Sequence, residues 1–329
     1  MPEFQPPQLV TPPRPRPALD GGPSAGLAGV IVPTHNDGSN IGPLVRRLIA
    51  EPAVGEVLVI ASACDDTTVP TVLEIAAVAD GRVRLYVEPV RTGKPSAINF
   101  GLGENELPVV MVVSGDVLPE PGTVTRMAEA VQQPGVGLAG GRPLPRNPEN
   151  TPIGHAVHLM WRLHHRVALG RPKIGEAIAL RAEAAKPLPE TSVDEPCFQA
   201  MLEGEGWKSV YLGDALIANW GPCTARDFVK QRRQVHTGNL WLNRRQGYRV
   251  PSLHPALLLT ELWRDLLDDP RRCRPTRLAW TAGTVAMEVW ARLLARCDYV
   301  RGRENRVWHM VESAKAPTPG PNRLGAGNS

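Results

Sequence analysis

The chain has few cysteines and no long apolar run. Only five of its 329 residues are cysteine, and they are scattered with no C-x-x-C pair. The odd number and wide spacing argue against a disulfide framework and a zinc motif, so we expect reduced thiols in a cytoplasmic protein. No stretch approaches the ~18 consecutive apolar residues that a membrane-spanning helix requires. We therefore expect a chain that does not cross a membrane.

The chain also lacks a large excess of charge of one sign. Its 37 basic and 33 acidic side chains give a formal net charge of +4. A nucleic-acid-binding protein is usually far more basic, so we expect no nucleic-acid partner. A small positive excess suits an anionic substrate or the surface of a membrane.

Two common nucleotide-binding motifs are missing. A dinucleotide-binding domain carries G-x-G-x-x-G directly after its first strand, but residues 33–38 read PTHNDG. The stretch RTGKP (91–95) lacks the first glycine and the hydroxyl of a P-loop. A nucleotidyltransferase, which also combines a metal with a lysine, lacks its glycine-rich signature here. These absences disfavour all three classes.

The first half of the chain alternates strand-like and helix-like segments. Continuous β-branched runs are typical of strands that are buried on both faces, and the segments between them begin with helix-capping residues. This alternation predicts an α/β fold with a doubly wound, mostly parallel sheet and helices on both faces. Strands are predicted at 27–33, 56–62, 82–88, 108–115 and 135–141, and helices at 40–50, 67–79, 94–104 and 121–132.

The second half has a different pattern and ends in amphipathic helices. We predict helices at 152–169, 195–205 and 224–246, short strands at 176–181 and 208–212, and two or three amphipathic helices within 255–311. The predicted division is a disordered proline-rich leader (1–26), a catalytic domain (27–250, with halves 27–145 and 146–250), a helical C-terminal extension (251–314) and a disordered tail (315–329).

Polar side chains follow the predicted strands of the first half. Ligands of open α/β sheets bind outside the carboxyl ends of the strands, where the strand order reverses. Asp116 follows the fourth strand, and Arg91 and Lys94 follow the third. A carboxylate beside two cations suits a phosphorylated ligand that carries a divalent metal ion.

Six blocks of sequence, in order, resemble the family-2 glycosyltransferases of GT-A fold, from about Gly29 to Leu242. The resemblance implies an inverting enzyme that uses a nucleotide sugar. The blocks are GVIVPTHND, EVLVIASACDDTT, RTGKPSAIN, VSGDVLPEPG, SVDEPCFQAMLEGEGWKSVYLGDA and DFVKQRRQVHTGNLWL.

The resemblance assigns the donor half of the site. Ser62 stands where the family usually has an aspartate that contacts uridine or ribose. Each position also has a plainer interpretation, since Pro and Asn are common in turns and a loop lysine is usually solvated. The nucleotide-sugar residues implied are Pro33, Thr34, Asn36, Ser62, Arg91, Lys94, Asn99, Ser114, Gly115, Arg232 and Arg233.

The resemblance also implies Mg²⁺ or Mn²⁺ as cofactor. Asp116 matches the last residue of the family's Asp-x-Asp motif, and Ser114 replaces the first. A single carboxylate can suffice, because Mg²⁺ keeps water and phosphate ligands. His236 matches a histidine that ligates the metal in some related enzymes. The plainer interpretation of Asp116 is a turn residue at the end of a strand.

The acceptor half rests on an acidic pair and a basic helix. By resemblance, Glu195 or Asp194 is the base that deprotonates the acceptor, although both could simply favour a helix N-terminus. Lys173, Gly175 and Glu176 are expected to form the acceptor floor. Gln231 begins a Gln-x-x-Arg-Trp motif of processive members, which is broken at Gln234 and Val235, so the resemblance implies a single transfer.

The predicted function is therefore a non-processive hexosyltransferase with a hydroxyl or amine acceptor. One alternative is a membrane-surface enzyme that acts on a polyprenyl phosphate, with the C-terminal helices on the membrane. Another is a nucleotide-sugar-binding protein without turnover, suggested by Ser62 and Ser114. The C-terminal helices could also pair subunits into a homo-oligomer.

Overall fold

The computed structural model describes residues 6–11 and 25–304 of the chain. Within these residues one mixed sheet forms the centre of the molecule. Its strands are β1 (Gln8–Leu9), β2 (Ala28–Thr34), β3 (Val54–Ser62), β4 (Val83–Glu88), β5 (Val109–Val113), β6 (Val117–Pro119), β7 (Val136–Pro145), β8 (Ala177–Arg181) and β9 (Lys208–Asn219).

The strand order is β1-β4-β3-β2-β5-β8-β7-β9-β6. From β4 through β3 and β2 to β5, neighbouring strands are parallel. Strand β8 pairs antiparallel with β5 and β7, whereas β9 pairs parallel with β7 and antiparallel with β6. The order in which successive strands are added to the sheet reverses between β2 and β5. This reversal creates a crevice at the carboxyl ends of these two strands.

Helices cover both faces of this sheet. The expected α/β architecture with C-terminal helices is confirmed. The helices are α1 (Gly38–Ile49), α2 (Thr68–Val78), α3 (Lys94–Glu104), α4 (Thr123–Val131), α5 (Pro152–Gly170), α6 (Asp194–Gly204), α7 (Ala225–Gln246), α8 (Pro255–Asp268) and α9 (Pro275–Val300).

Two apolar clusters form the core, one on each side of the sheet. Successive side chains of a strand point to opposite faces. On β2, Val30 and Val32 accordingly join the cluster that contains Leu44 of α1, and Ile31 joins the cluster that contains Ile98 and Phe198. Every residue of β2 is buried, which explains its unbroken apolar run.

The prediction of a disordered leader is wrong for residues 8–11. Gln8–Leu9 pairs antiparallel with Val87 and Tyr86 of β4. The Val10 amide donates to the Leu85 carbonyl over 2.9 Å, and the Leu85 amide donates to Thr11 Oγ1 over 3.2 Å. The backbone at this sheet edge is satisfied by a short strand that has no sequence periodicity. The rest of the predicted leader through residue 24, and the predicted tail at 315–329, lie outside the described residues.

The C-terminal extension packs on the second half of the domain. Helix α9 packs on α7 and α5, and α8 packs on α5. No helix in residues 6–11 and 25–304 has the length and apolar character that crossing a membrane requires. All five cysteines are free thiols, as expected.

Candidate functional site

A cavity of about 1180 Å³ opens at the carboxyl ends of β2, β3 and β5. It brings together all but three of the site residues predicted from the sequence. Those in its wall are Pro33, Thr34, Ser62, Arg91, Lys94, Ser114, Gly115, Asp116, Lys173, Gly175, Glu176, Asp194, Glu195, Gln231, Arg232 and His236.

The ends of β2 and β5 meet at a glycine. The Gly115 amide donates to the Pro33 carbonyl over 3.3 Å. A Cβ at Gly115 would lie 2.5 Å from Asp37 Oδ2 and 2.6 Å from Thr34 Oγ1. Only glycine permits the backbone at position 115 to lie this close to Thr34 and Asp37. The Thr34 hydroxyl donates a hydrogen bond to Asp37 over 2.7 Å beside it.

Ser62 is backed by a buried carboxylate that the sequence prediction did not include. The Ser62 hydroxyl donates a short hydrogen bond to Glu88, the last residue of β4. Burial raises the pKa of the Glu88 carboxyl. The carboxylate that the family resemblance places at position 62 is therefore held one strand away. The sequence feature that could have identified Glu88 is its position as an acidic residue at the end of a β-branched run.

A second carboxylate, that of Glu176, lies near Ser114, which replaces the first aspartate of the Asp-x-Asp motif. Strands β5 and β8 pair antiparallel, with Val113 opposite Ala177. Ser114 follows Val113 and Glu176 precedes Ala177, so the segment before β8 brings a carboxylate to the same end of the sheet as Ser114. Glu176 has a φ of 69°, which is unusual for a residue other than glycine, and its side chain lines the cavity.

Burial and neighbouring carboxylates perturb the pKa of Glu176. Burial, then repulsion by Asp116 and Glu195, raises the pKa of Glu176 to about 8. Burial lowers the pKa of Lys173, whose ammonium lies 3.1 Å from where a Cβ of Gly175 would stand. This part of the cavity therefore holds closely spaced charges of both signs, as is common in functional sites.

Lys94 joins the donor side to the acidic pair. Its ammonium lies 2.7 Å from Asp194 Oδ2 and 3.4 Å from Glu195 Oε1. Burial opposes the charge of Lys94, but the attraction of the two acids outweighs it and raises the pKa of the ammonium. Burial would also raise the pKa of Glu195, but Lys94 and Lys173 outweigh it and lower that pKa. Glu195 is thus kept ionised, while burial raises the pKa of Asp194.

A cluster between α7 and α9 closes the far side of the cavity. Glu288 of α9 accepts from Arg232 Nε over 2.9 Å, and its Oε1 lies 2.8 Å from His236 Nε2. Burial lowers the pKa of His236 to about 4. Burial opposes the charge of Glu288, but Arg232 and His236 outweigh it and lower the pKa of this carboxyl. Glu288 was not predicted, because a partner 56 residues from Arg232 leaves no local signal.

Three predicted donor residues lie outside the cavity wall. Asn36 hydrogen-bonds Asp65 over 2.5 Å. Asn99 bonds both the carbonyl and the amide of Leu188, at 2.8 and 2.7 Å. Arg233 forms two 2.5 Å hydrogen bonds to Asp298 of α9. Each side chain is therefore engaged in joining segments of the fold.

His164 of α5 is a further polar group in the cavity wall. It is 5% exposed, and its Nε2 has no hydrogen-bond partner within the described residues. Burial, then the nearby Lys173, lowers the pKa of this imidazole well below its usual value. A neutral ring with an unsatisfied nitrogen in a cavity can hydrogen-bond a ligand.

The donor set fits a metal ion that shares its coordination with a ligand. No three histidine, cysteine or acidic side chains in the described part of the chain group as a protein-only metal site. His236 is engaged by Glu288. Asp116 is exposed, and Glu176 lines the same cavity close enough to be repelled by it. Carboxylate oxygens are suitable ligands for Mg²⁺ or Mn²⁺, but two carboxylates are too few to fill the coordination shell. Phosphate and water oxygens would complete it.

The family model described as glycosyl transferase family 2 matches residues 29–188. Residues 29–188 are therefore similar to the family 2 glycosyltransferases. The match covers the sheet from β2 through β8 and includes Asp116 and Glu176, while the acidic pair lies just beyond it. None of the curated proteins matches the chain.

Solved structures resemble the fold. A mannosyltransferase from Pyrobaculum calidifontis, solved with GDP-mannose and Mn²⁺, has a TM-score of 0.60 and 20% identity, over 90% of this chain and 91% of that one. Glucosyl-3-phosphoglycerate synthase from Mycobacterium tuberculosis, solved with Mn²⁺, UDP and glucosyl-3-phosphoglycerate, has a TM-score of 0.47 and 20% identity, over 68% and 80%. The first likeness shows that this fold, with its sheet and its C-terminal helices, occurs in a solved structure.

Proposed function

We propose that the protein transfers one hexosyl group from a nucleotide-diphosphate donor to a hydroxyl or amine acceptor, with inversion. The observation that carries the proposal is one cavity with two ends. Asp116 lies at the ends of the parallel strands, and the triad of Lys94, Asp194 and Glu195 faces the same space. A donor diphosphate at the first and an acceptor at the second would meet between them.

The donor end would hold the nucleotide and its diphosphate. Pro33, Thr34 and Ser62 line the position for base and ribose, and Arg91 lies at the same end. Asp116 and Glu176 would hold Mg²⁺ or Mn²⁺. Such an ion, when bound, neutralises the diphosphate and stabilises charge on the leaving group. The presence of GDP-mannose and Mn²⁺ in the similar mannosyltransferase supports this assignment.

The acceptor end would supply the base. Glu195 is ionised at neutral pH because Lys94 and Lys173 lower its pKa. It takes the proton from the acceptor hydroxyl or amine as the acceptor attacks the anomeric carbon. Asp194 holds Lys94 in place. Lys94, predicted to contact the diphosphate, would thus act through the base as well.

A polyprenyl phosphate is the second candidate acceptor. The part of the cavity wall that α8 and α9 form includes six apolar side chains, Leu258, Leu259 and Leu262 of α8 with Val285, Val289 and Leu293 of α9. A hydrocarbon tail would fit this wall. A phosphate acceptor needs little help from a base, so the Glu195→Gln variant would remain active with it but not with a hydroxyl acceptor.

The test is turnover. The protein is incubated with Mn²⁺ and each common nucleotide sugar, and release of the nucleoside diphosphate is measured with and without hydroxyl, amine and polyprenyl phosphate acceptors. We expect release with one donor class, and loss of release in Asp116→Ala. A protein that binds a donor but never releases a diphosphate under any of these conditions would instead be a binding protein.

A further inference from the structure

Helices α8 and α9 expose a row of large apolar side chains. On α8, Leu259, Trp263 and Leu267 are 64%, 65% and 63% exposed. They recur every fourth residue and therefore share one side of the helix. On α9 the exposed apolar side chains are Leu278, Val285, Val289, Trp290, Leu293 and Val300. We call these nine residues the α8–α9 face.

The polarity of α9 is reversed relative to an ordinary surface helix. Its two acids and Arg292 point toward the protein. Glu288 binds Arg232 and His236 of α7, Arg292 donates to the Leu253 carbonyl over 3.2 Å, and Asp298 binds Arg233. The small residues Ala291 and Ala295 are buried. A helix that packs on a core normally turns its apolar side inward and its charges to water.

The outward side of α9 carries no charge over four turns. Between Leu278 and Leu293 the charged residues are Glu288 and Arg292, which are 22% and 26% exposed and paired with each other. Every fully exposed residue of this stretch is apolar, alanine or glycine. A contiguous exposed apolar surface of this kind marks an interaction site.

α8 shows the same reversal. Asp265 is 1% exposed and accepts from Arg162 of α5 over 3.2 Å and from Arg272 over 2.7 Å. Its charge is thus directed into the protein, whereas Trp263 and Leu267 on either side point outward. Two helices with buried charges and exposed apolar rows border the same cavity.

The charges that are exposed around this face are almost all positive. In residues 254–304 the exposed acid is Asp268, against the exposed arginines Arg264, Arg271, Arg274, Arg296, Arg301 and Arg303. A cationic rim complements an anionic surface. A second copy of the chain seated symmetrically on this face would place arginine rims close to each other, which is unfavourable.

We propose that the α8–α9 face docks the protein on an anionic lipid bilayer, with both helices lying in the headgroup plane. Tryptophan, leucine and arginine are the residues that such interfacial helices combine. In the described part of the chain no helix can cross a membrane, in keeping with helices that lie on the surface. Leu259, Val285 and Val289 also line the cavity, so the docked face borders the entrance to the site.

Vesicle sedimentation of the full-length protein tests the proposal. We expect sedimentation with phosphatidylglycerol–phosphatidylcholine vesicles at low salt, and much less with phosphatidylcholine alone or at high salt. The Trp263→Ser/Trp290→Ser variant should bind at least about tenfold more weakly, because two aromatic side chains no longer enter the interface. Arg274→Gln should weaken binding roughly fivefold, the value for one basic residue near an anionic surface.

A matched control uses Leu169→Ser on α5, which removes an apolar side chain of the same exposure, 64%, outside the face. It should bind as wild type does, and circular dichroism should show that all variants are folded. Absence of sedimentation with anionic vesicles, or equal binding by the tryptophan variant, overturns the proposal. So does a dimer in light scattering that becomes a monomer in that variant, since the face would then be a subunit interface.

Discussion

At the scale of single residues, the site is built from charges that control each other. Lys94 lies within 3.4 Å of Glu195 and 2.7 Å of Asp194. The lysine lowers the pKa of both acids, against the effect of their burial. An ionised, partly exposed Glu195 is suited to accept a proton, whereas Asp194 is buried beside the ammonium.

Glu195→Gln tests the proposed base. With a hydroxyl acceptor we expect kcat to fall roughly 10²–10⁴-fold, the usual contribution of a general base, with little change in donor binding. Steady-state kinetics and donor calorimetry measure the two effects separately. The control is Glu205→Gln, which alters an exposed glutamate paired with Lys186. Wild-type turnover of the hydroxyl acceptor by Glu195→Gln would exclude this role.

Glu176→Gln tests whether Glu176 is a ligand of the proposed metal ion. Removal of one of two oxygen donors should weaken Mn²⁺ binding in the presence of a nucleoside diphosphate by about tenfold or more, or 1.4 kcal/mol. Electron paramagnetic resonance of free Mn²⁺ measures this without turnover. The matched variant is Glu88→Gln, which removes a buried carboxylate on the nucleotide side of the site. If the Mn²⁺ affinity is unchanged in Glu176→Gln, Glu176 is not a ligand of the metal ion and Asp116 is left as the proposed protein ligand.

At the scale of elements, the ion pairs between α7 and α9 determine where α9 lies. Glu288 accepts from Arg232, Arg292 and the His236 ring, all in the partly buried interface. Breaking such a group leaves buried cations without their partner, which costs far more than the loss of a surface pair.

Glu288→Gln should therefore lower the free energy of unfolding by about 2 kcal/mol or more. Chemical denaturation of the full chain measures it. Glu205→Gln again serves as the control, because loss of an exposed pair should cost under about 1 kcal/mol. Equal stability of the two variants would mean that packing alone holds α9.

Elements were predictable from the sequence where a local pattern exists. Buried β-branched runs and helix caps identified the strands and helices from β2 to α7 except β6, which was not predicted. The predicted helix at 94–104 coincides with α3. The two residues of β1 carry no such pattern. Strand β9 runs to Asn219, beyond the predicted 212, because it pairs with both β7 and β6.

The site was predictable to the extent that motifs follow strands directly. Asp116, Lys94 and Glu195 lie in the cavity, as their blocks implied. Contacts between segments that are distant in the sequence could not be predicted from it. The positions of Glu176 near the end of β5, of Glu88 beside Ser62 and of Glu288 beside Arg232 each depend on a pairing between distant segments. For the same reason Arg233 was expected at the donor, but it pairs with Asp298.

At the scale of the whole molecule, α5 lies between the central sheet and the C-terminal helices. It contributes two buried histidines whose rings are neutral. His155 Nε2 lies 3.0 Å from Thr281 Oγ1 of α9, and burial followed by Arg162 and Arg277 lowers the pKa of this ring to about 4. Burial also lowers the pKa of His164 well below its usual value.

The protein should consequently lose stability in mild acid. The folded state keeps these rings neutral, while an unfolded histidine gains its proton near pH 6.5. Stability is therefore complete above pH 6.5 and is lost as the pH falls toward 4, by up to about 3 kcal/mol for a fully buried ring. Thermal denaturation from pH 7.5 to 4.5 measures it. His155→Gln should reduce the slope, and a melting temperature independent of pH in wild type would contradict the assignment.

Titration calorimetry of nucleoside diphosphates tests the central claim most directly. The claim is that Asp116, at the ends of the parallel strands, holds a divalent ion together with a sugar-nucleotide diphosphate. We predict that Mn²⁺ strengthens the binding of one of UDP, GDP, ADP, CDP or TDP, and that Asp116→Ala abolishes this enhancement but leaves the fold intact. Binding that is absent for all five, or unaffected by Mn²⁺ and by Asp116→Ala, would contradict the account.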